Sequence, residues 1–430
     1  MFVFPLEKRR NKGKVRERKI KKEENEMGTC SLILCGTHCE RPAKVGETIG
    51  FYVSPITFAA NRVCFDATVR WKLKYNGEFF LKEGEFSAGD RSAGVTFTAD
   101  RPGWYMAIFE VFRNGKLDAT GKIGALVEPE RLEAALPVPE DFDEFWKKQL
   151  DSLHRIPAEM RLTPLNSSGL ISTFALQANG GDDGVPVRGV LARPVKTVRG
   201  GHPAILLPHG AGVRSSDYGR IAVWAAKGFL ALDINAHGLE NGRDPDWYAE
   251  KEKEYAGYPV RGFESGDPEA PYMRNVFLRV VRALECLTDM PEWDGRNLWV
   301  FGGSQGAWQG LAGAALMPKV SGAALWIPAG CDIYVGGWPF AHLIGKTRPE
   351  GLRRTLPYYD GGSFATRIKD IPVMFSMGLI DEVCKADGVS AVYNRLATPL
   401  KRRELHERMQ HETGSSVILE LTRFIMGNLK

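Results

Sequence analysis

A serine, a carboxylate and a histidine in the right chain order could make an acyl-transfer nucleophile, and this sequence offers each. Ser304 stands in Gly302-Gly303-Ser304-Gln305-Gly306, after the apolar run Leu298-Trp299-Val300-Phe301 and before an Ala/Leu/Gly-rich stretch ending at Leu316. The apolar run reads as a short buried strand, and the stretch suits a helix packed closely on a sheet. Strand, G-x-S-x-G and helix form the pattern of a nucleophile elbow. So tight a turn puts its serine in a strained backbone conformation, and larger neighbours at Gly302 and Gly306 would clash. The strain lifts the hydroxyl clear of the sheet. The next N–H groups and the helix N-terminus then face the charge that develops in acyl transfer. The five letters alone would also fit a structural glycine turn; the flanking strand and helix favour the chemical reading.

A serine hydroxyl is a poor nucleophile near neutral pH. It needs a histidine base, and the histidine needs a carboxylate to fix its tautomer and stabilise its cation. Downstream of Ser304 the histidines are His342, His406 and His411. His411 follows an expected last strand, Arg403 to Arg408; His406 lies inside that strand, and His342 precedes the expected carboxylate. The base is therefore His411, a surface or core histidine being the bland alternative. For the carboxylate, Asp381 lies in a loop after the expected strand Val373 to Met377. Its competitors are Asp360, Asp370 and Asp387, of which Asp370 precedes that strand and Asp387 begins a helix, where capping is the default. Two N–H donors should hold the oxyanion. One is that of Gln305, directly after the nucleophile, and the other that of Ala211 in Leu207-Pro208-His209-Gly210-Ala211-Gly212. His209-Gly210 also reads as a plain strand-to-helix turn.

These residues need a scaffold. Strand candidates at Val187 to Leu191, Ala204 to Leu207, Phe229 to Ile234, Leu298 to Phe301, Ala323 to Ile327 and Val373 to Met377 alternate with helix candidates at Ile221 to Lys227, Met273 to Thr288, Gly306 to Leu316 and Val389 to Leu396. Such alternation predicts an α/β architecture, a mostly parallel sheet with helices on both faces and ligands at the carboxyl ends of its strands. From about Thr29 to Val127 the text is strand-like, with turn signals such as Asn76-Gly77 and Asn114-Gly115, and predicts a β-sandwich-like domain. Its aromatics Trp71, Phe79, Phe80, Trp104 and Tyr105 read first as core and second as a sugar-stacking platform. The proline-bearing segment 128–138 reads as a linker, and Pro139 to Leu150 as a helix with Phe142, Phe145, Trp146 and Leu150 in one stripe. The catalytic domain would then run from 139 to 430.

Composition excludes several classes. The 430 residues carry a net charge of +5, and residues 1–27, with ten Lys/Arg and five Glu, account for all of it. The remainder is neutral, so no nucleic-acid surface is expected. Residues 1–27 read as a basic disordered segment, and Met27 offers a second start of translation. The chain has seven cysteines, an odd number, in a chain too large to need a disulfide framework. Cys30, Cys35, His38 and Cys39 lack the pairing of common zinc sites, so free thiols are expected and no metal. No stretch approaches transmembrane length and no secretory pattern opens the chain, which predicts no membrane and a cytoplasmic location. No dinucleotide fingerprint or phosphate loop fits, so no cofactor is expected.

The second half resembles carbohydrate esterase family 7, the acetyl xylan esterase and cephalosporin-C deacetylase group. The resemblance spans roughly Val138 to Gly414 and rests on PEDFDEFW (139–146), YMRNVFLRVVRALECL (272–287), GGSQGAWQGLAGAAL (302–316), YYDGGSFATRIK (358–369), GLIDEVC (378–384) and the pair His411-Glu412. It implies an α/β-hydrolase fold and removal of acetyl groups from short xylo-oligosaccharides and related small esters, often by an oligomer. Its triad carries over onto Ser304, Asp381 and His411, and its oxyanion donors onto Ala211 and Gln305. The family usually has Arg-Gly-Gln where this chain has Asn235-Ala236-His237-Gly238, tyrosine at Ala211, and glycine at Ala307 and Gln410. The triad survives these changes; they bear on substrate identity and assembly. The rival readings are a broad-specificity short-chain esterase or peptidase on the same scaffold, and a binding protein with an inactive hydrolase domain.

Overall fold

The computed structural model describes residues 30–38, 41–57, 62–89, 93–335 and 349–430. Cys39 and His342 lie outside them, as do residues 1–29 and Trp338. The chain divides into two compact units, one ending at Val127 and the other running from Glu128 to Lys430.

The first unit is β-sandwich-like. Strands β1 (Cys30–Gly36), β2 (Thr48–Thr57), β3 (Arg62–Val63) and β6 (Gly94–Thr98) make one antiparallel sheet. Strands β4 (Thr68–Tyr75), β5 (Phe79–Ser87), β7 (Gly103–Arg113) and β8 (Lys116–Val127) make another, in the order β5-β4-β7-β8. Alternating side chains of both sheets, among them Ile49, Phe51, Val69, Leu73, Phe109 and Val111, meet in one core. Asn114 and Gly115 turn β7 into β8 with φ of 51° and 73°, the left-handed pair that a tight hairpin requires. Trp104 and Tyr105 are fully buried, whereas Phe79 and Phe80 are 60% and 57% exposed. The stacking platform thus shrinks to two phenylalanines on one strand. His38 bonds to Glu47 at 3.2 Å, and Cys30 is buried with its N–H on Asp118.

The second unit is built on a nine-stranded sheet, order β17-β16-β15-β14-β12-β13-β11-β10-β9. Strands β9 (Arg161–Ser168), β10 (Ile171–Ala178) and β11 (Val187–Pro194) are the antiparallel edge. Strands β12 (His202–Leu206), β13 (Leu230–Asn235), β14 (Trp293–Gly303), β15 (Gly322–Trp326), β16 (Val373–Gly378) and β17 (Lys401–His406) pair in parallel. Every residue of β13, β15 and β16 is buried, as strands covered on both faces must be.

The cover comes from α1 (Phe142–His154), α2 (Tyr218–Ala226), α3 (Pro245–Glu254), α4 (Met273–Thr288), α5 (Gln305–Leu316), α6 (Glu350–Thr355), α7 (Gly361–Ala365), α8 (Ala386–Arg395) and α9 (Ser415–Gly427). Ile221 and Trp224 of α2 and Val417, Leu421 and Ile425 of α9 share a core with Ile205, Trp299 and Met374 of the sheet. Residues 128–138 are pinned to α8: Asn394 donates to the carbonyls of Pro129 and Leu132, and Arg395 to those of Ala134 and Leu136. Ser304 follows β14, Asp381 follows β16, His411 follows β17 and Ala211 follows β12, so all four sit at carboxyl ends of parallel strands.

Candidate active site

Ser304 is the single residue between β14 and α5, with φ of 54° and ψ of −125°. That conformation costs a non-glycine residue about 1–3 kcal/mol. Four hydrogen bonds hold it. The Ser304 N–H donates to the Trp326 carbonyl at 3.1 Å, and its own carbonyl accepts from Ala307, Trp308 and Ala329. The glycines are required by close approach. A Cβ on Gly302 would stand 2.4 Å from the Gly306 carbonyl oxygen, and one on Gly306 2.3 Å from that of Pro208.

From this turn the Ser304 hydroxyl reaches His411 Nε2 at 2.9 Å, and His411 Nδ1 reaches Asp381 Oδ2 at 2.9 Å. Asp381 is fully buried. Its other oxygen, Oδ1, accepts the N–H groups of Val383 and Cys384 at 2.8 and 2.9 Å. The carboxylate is therefore fixed by its own loop, and one lone-pair edge is left for the imidazole. The geometry places a proton on Nδ1 and a lone pair on Nε2, which can accept the serine proton. The competing residues are engaged elsewhere. His406 bonds Ser376 at 2.8 Å. Asp360 caps α7 through Gly362 and accepts from Ile333. Asp387 lies inside α8, one residue past its start rather than at its cap.

Above the serine, the loop after β12 and the start of α5 face each other across a bridge that the sequence did not signal. The hydroxyl of Tyr258 donates to Gln305 Oε1 at 2.5 Å and accepts the N–H of Gly212 at 3.2 Å. It ties the residue beside Ala211 to the residue after Ser304, so it sets the spacing of the two candidate oxyanion donors. Tyr258 opens a one-turn 3-10 helix, Tyr258–Val260, 47 residues from Gln305, and no motif joins them. His237, from the segment that replaces the family's Arg-Gly-Gln, packs edge-on against Tyr258 at 4.4 Å and bonds Tyr272 at 2.9 Å. Burial pushes its pKa down to about 3, so it stays neutral. Tyr258→Phe strands a buried amide oxygen and a backbone N–H. It is expected to lower kcat about tenfold with little change in KM. Steady-state kinetics on p-nitrophenyl acetate checks this, and an unchanged kcat would show that the bridge does not position the donors.

A cavity of about 760 Å³ opens over Ser304 and His411 and is lined also by Ala211, Arg214, Trp224 and Trp326. Trp308 is not part of it. Its ring is buried, with Nε1 bonded to the Tyr359 carbonyl at 2.7 Å. Among the described residues, ligand atoms of Asp381, Cys384 and His411 lie within 4.8 Å of one another, the grouping that could hold a metal ion. Burial raises the Cys384 thiol well above its ordinary pKa, and His411 Nδ1 is already on Asp381. Among the described residues no helix is long and apolar enough to cross a membrane.

The family model for acetyl xylan esterase matches residues 126–335 and 343–427. The acetyl esterase Axe7A of Xylanibacter ruminicola is 32% identical over 319 residues, 70% of this chain and 69% of that protein. The structure of an acetyl xylan esterase from Paenibacillus sp. R4 aligns with a TM-score of 0.61 at 26% identity, over 70% of this chain and 99% of that one. Acetyl xylan esterase 1 from Thermoanaerobacterium sp. JW/SL YS485 has the same fold, with a TM-score of 0.61 at 24% identity over 70% and 98% of the two chains. The matched span takes in the elbow, the buried aspartate and the histidine that joins them. By that match and by its likeness to Axe7A, the chain belongs to the acetyl xylan esterase family and is a carboxylic-ester hydrolase.

Proposed function

We propose that the chain removes acetyl groups from acetylated carbohydrates such as xylo-oligosaccharides, with Ser304, His411 and Asp381 as its catalytic triad. The observation that carries the proposal is the bonded row Ser304–His411–Asp381, 2.9 Å at each step, beneath an open cavity. Ser304 Oγ attacks the acetyl carbonyl while His411 Nε2 takes its proton. Asp381 keeps the imidazole in the productive tautomer and stabilises its cation. The N–H groups of Gln305 and Ala211 receive the oxyanion. His411 then gives its proton to the departing sugar oxygen, which leaves as the alcohol. A water, deprotonated by the same nitrogen, attacks the acyl carbon, and as acetate leaves the proton returns to Ser304 Oγ. The names of the relatives support acetyl as the acyl group and xylan as the alcohol. The experiment is acetate release from acetylated xylo-oligosaccharides, acetylated monosaccharides and acetylated peptides. Hydrolysis of p-nitrophenyl acetate with none of the carbohydrates would reject the substrate reading.

Ala211 favours a wider acyl range as a second reading. The family's usual tyrosine would put a ring here; alanine keeps the N–H and leaves the cavity open, with apolar walls from Trp224, Phe301 and Trp326. Each further methylene buried there contributes up to about 0.8 kcal/mol. Propionyl and butyryl p-nitrophenyl esters are expected to be cleaved nearly as well as acetyl, and Ala211→Tyr to restore acetyl preference. The values of kcat/KM along that series decide it: a steep fall from acetyl to propionyl in the natural enzyme would show a closed acyl pocket.

A further inference from the structure

Arg214 lines the same cavity, and no carboxylate among the described residues forms a salt bridge with it. Its Nη2 donates to the Ala211 carbonyl at 2.8 Å. Asn235 in turn holds the Arg214 carbonyl at 2.8 Å, so both ends of the residue are fixed. A Cβ built on Gly210 would lie 3.3 Å from that Nη2 and 3.8 Å from the Cβ of Ser304. The guanidinium and the Ser304 side chain thus both come within 4 Å of one point.

The cavity's other arginine is different. Arg220 lies 3.3 Å from the buried carboxylate of Asp233. Arg214 makes no ion pair with a carboxylate among the described residues; its hydrogen-bonding neighbours there are the Ala211 carbonyl and the ring of His209. That ring offers it no lone pair. His209 Nδ1 lies 2.6 Å from the Gly210 carbonyl, to which it must donate, and Nε2 accepts the Ala236 N–H at 3.4 Å. Burial, reinforced by Arg214 itself, pushes the His209 pKa down to about 4, so the ring is neutral. Arg214 Nε, 3.4 Å from Nδ1, therefore meets a proton rather than an acceptor. One Nη2 hydrogen is spent on Ala211, and the rest of a planar fork that cannot lose its proton is left to the cavity.

Such a fork matches a planar anion. The same cavity is also lined by Asp217 and Glu412, which disfavour a doubly charged group such as a phosphate monoester and leave a single negative charge as the better fit. We propose that Arg214 recognises a carboxylate on the ester substrate, which makes acetylated carbohydrates containing uronic acid a preferred class. The sugar part of this statement rests on the deacetylase reading above; the carboxylate part rests on Arg214 and its surroundings.

Two matched pairs of substrates test it: an acetylated methyl glucuronide with its methyl ester, and 4-acetoxybenzoate with its methyl ester. Within each pair the free acid and the ester differ in charge near the acetyl group, and intrinsic reactivity cancels when one enzyme is compared with another. The acid-to-ester ratio of kcat/KM is expected to fall about tenfold from wild type to Arg214→Gln, chiefly through KM. Arg214→Lys should retain part of it, and in the wild type the ratio should decline as salt is added. Equal ratios in wild type and Arg214→Gln would overturn the proposal. Should Arg214→Gln fail to fold, a wild-type ratio indifferent to salt would overturn it as well. If both glucuronides resist hydrolysis while the benzoates react, the carbohydrate reading falls, and the benzoate pair alone decides for or against Arg214.

Discussion

Ser304→Ala is expected to lose three or more decades in kcat while folding as the natural protein does. The substitution removes one oxygen and leaves the turn intact. Alanine has the same Cβ, and the four backbone bonds to Trp326, Ala307, Trp308 and Ala329 do not involve the hydroxyl. The strained φ of 54° is therefore held as before. What disappears is the hydroxyl that bonds His411 Nε2 at 2.9 Å. Some rate above that of water would persist, because the proposed oxyanion donors, the N–H groups of Gln305 and Ala211, stay in place. Circular dichroism and a thermal melt establish folding, p-nitrophenyl acetate gives kcat, and a fluorophosphonate probe reports the nucleophile directly. A purified variant with wild-type turnover, or one that still takes up the probe at an active-site serine, would reject Ser304 as the nucleophile.

The elbow was legible because several independent constraints fall within twenty residues. An apolar run, two glycines that a Cβ would drive into backbone, and a small-residue helix leave few other arrangements for Leu298 to Leu316. Helix α4, Met273–Thr288, was readable end to end from its apolar spacing. His411 and Asp381 could be chosen because chain order and strand ends narrow the options, and the structure brings both within bonding distance of the serine's row.

The parts that were not read lack that redundancy. Strand β9 is a mostly exposed edge interrupted by Pro164, so no alternation marks it. The aromatic pair Trp104-Tyr105 is core, as its first reading had it, but adjacent strand residues point to opposite faces, so the period of two does not foretell that both are buried. Tyr258 lies in a single 3-10 turn and Arg214 in a loop, and neither has a periodicity to reveal its partner. The presence of Asn235-Ala236-His237-Gly238 where the family has Arg-Gly-Gln was visible as a difference, but its meaning came from placement. Asn235 holds the Arg214 carbonyl and His237 packs on Tyr258, so the changed segment braces the loop that carries Ala211 and the tyrosine that bonds Gln305.

Asp381→Asn is expected to cost about three to four decades in kcat, although it changes neither the size nor the shape of the side chain. The reason lies in the two backbone donors. Val383 and Cys384 both direct their N–H groups at Oδ1, at 2.8 and 2.9 Å. In the asparagine variant that position must be taken by the carbonyl oxygen, since an amide NH2 there would set donors against donors in a fully buried site. The NH2 is then forced toward His411 Nδ1, where the carboxylate had been at 2.9 Å. To meet a donor, Nδ1 must give up its proton and accept, which moves the ring proton to Nε2. That nitrogen faces the Ser304 hydroxyl and can no longer take its proton. The base is lost by tautomer alone, with every heavy atom in place. Asp381→Ala would confuse this with a cavity; asparagine does not. The test is kcat for a variant whose melting temperature stays within a few degrees of the natural protein, supported by the pattern of imidazole N–H protons in an NMR spectrum. A loss smaller than tenfold would mean that Asp381 does not set the tautomer of His411, and the carboxylate of the triad would have to be sought elsewhere.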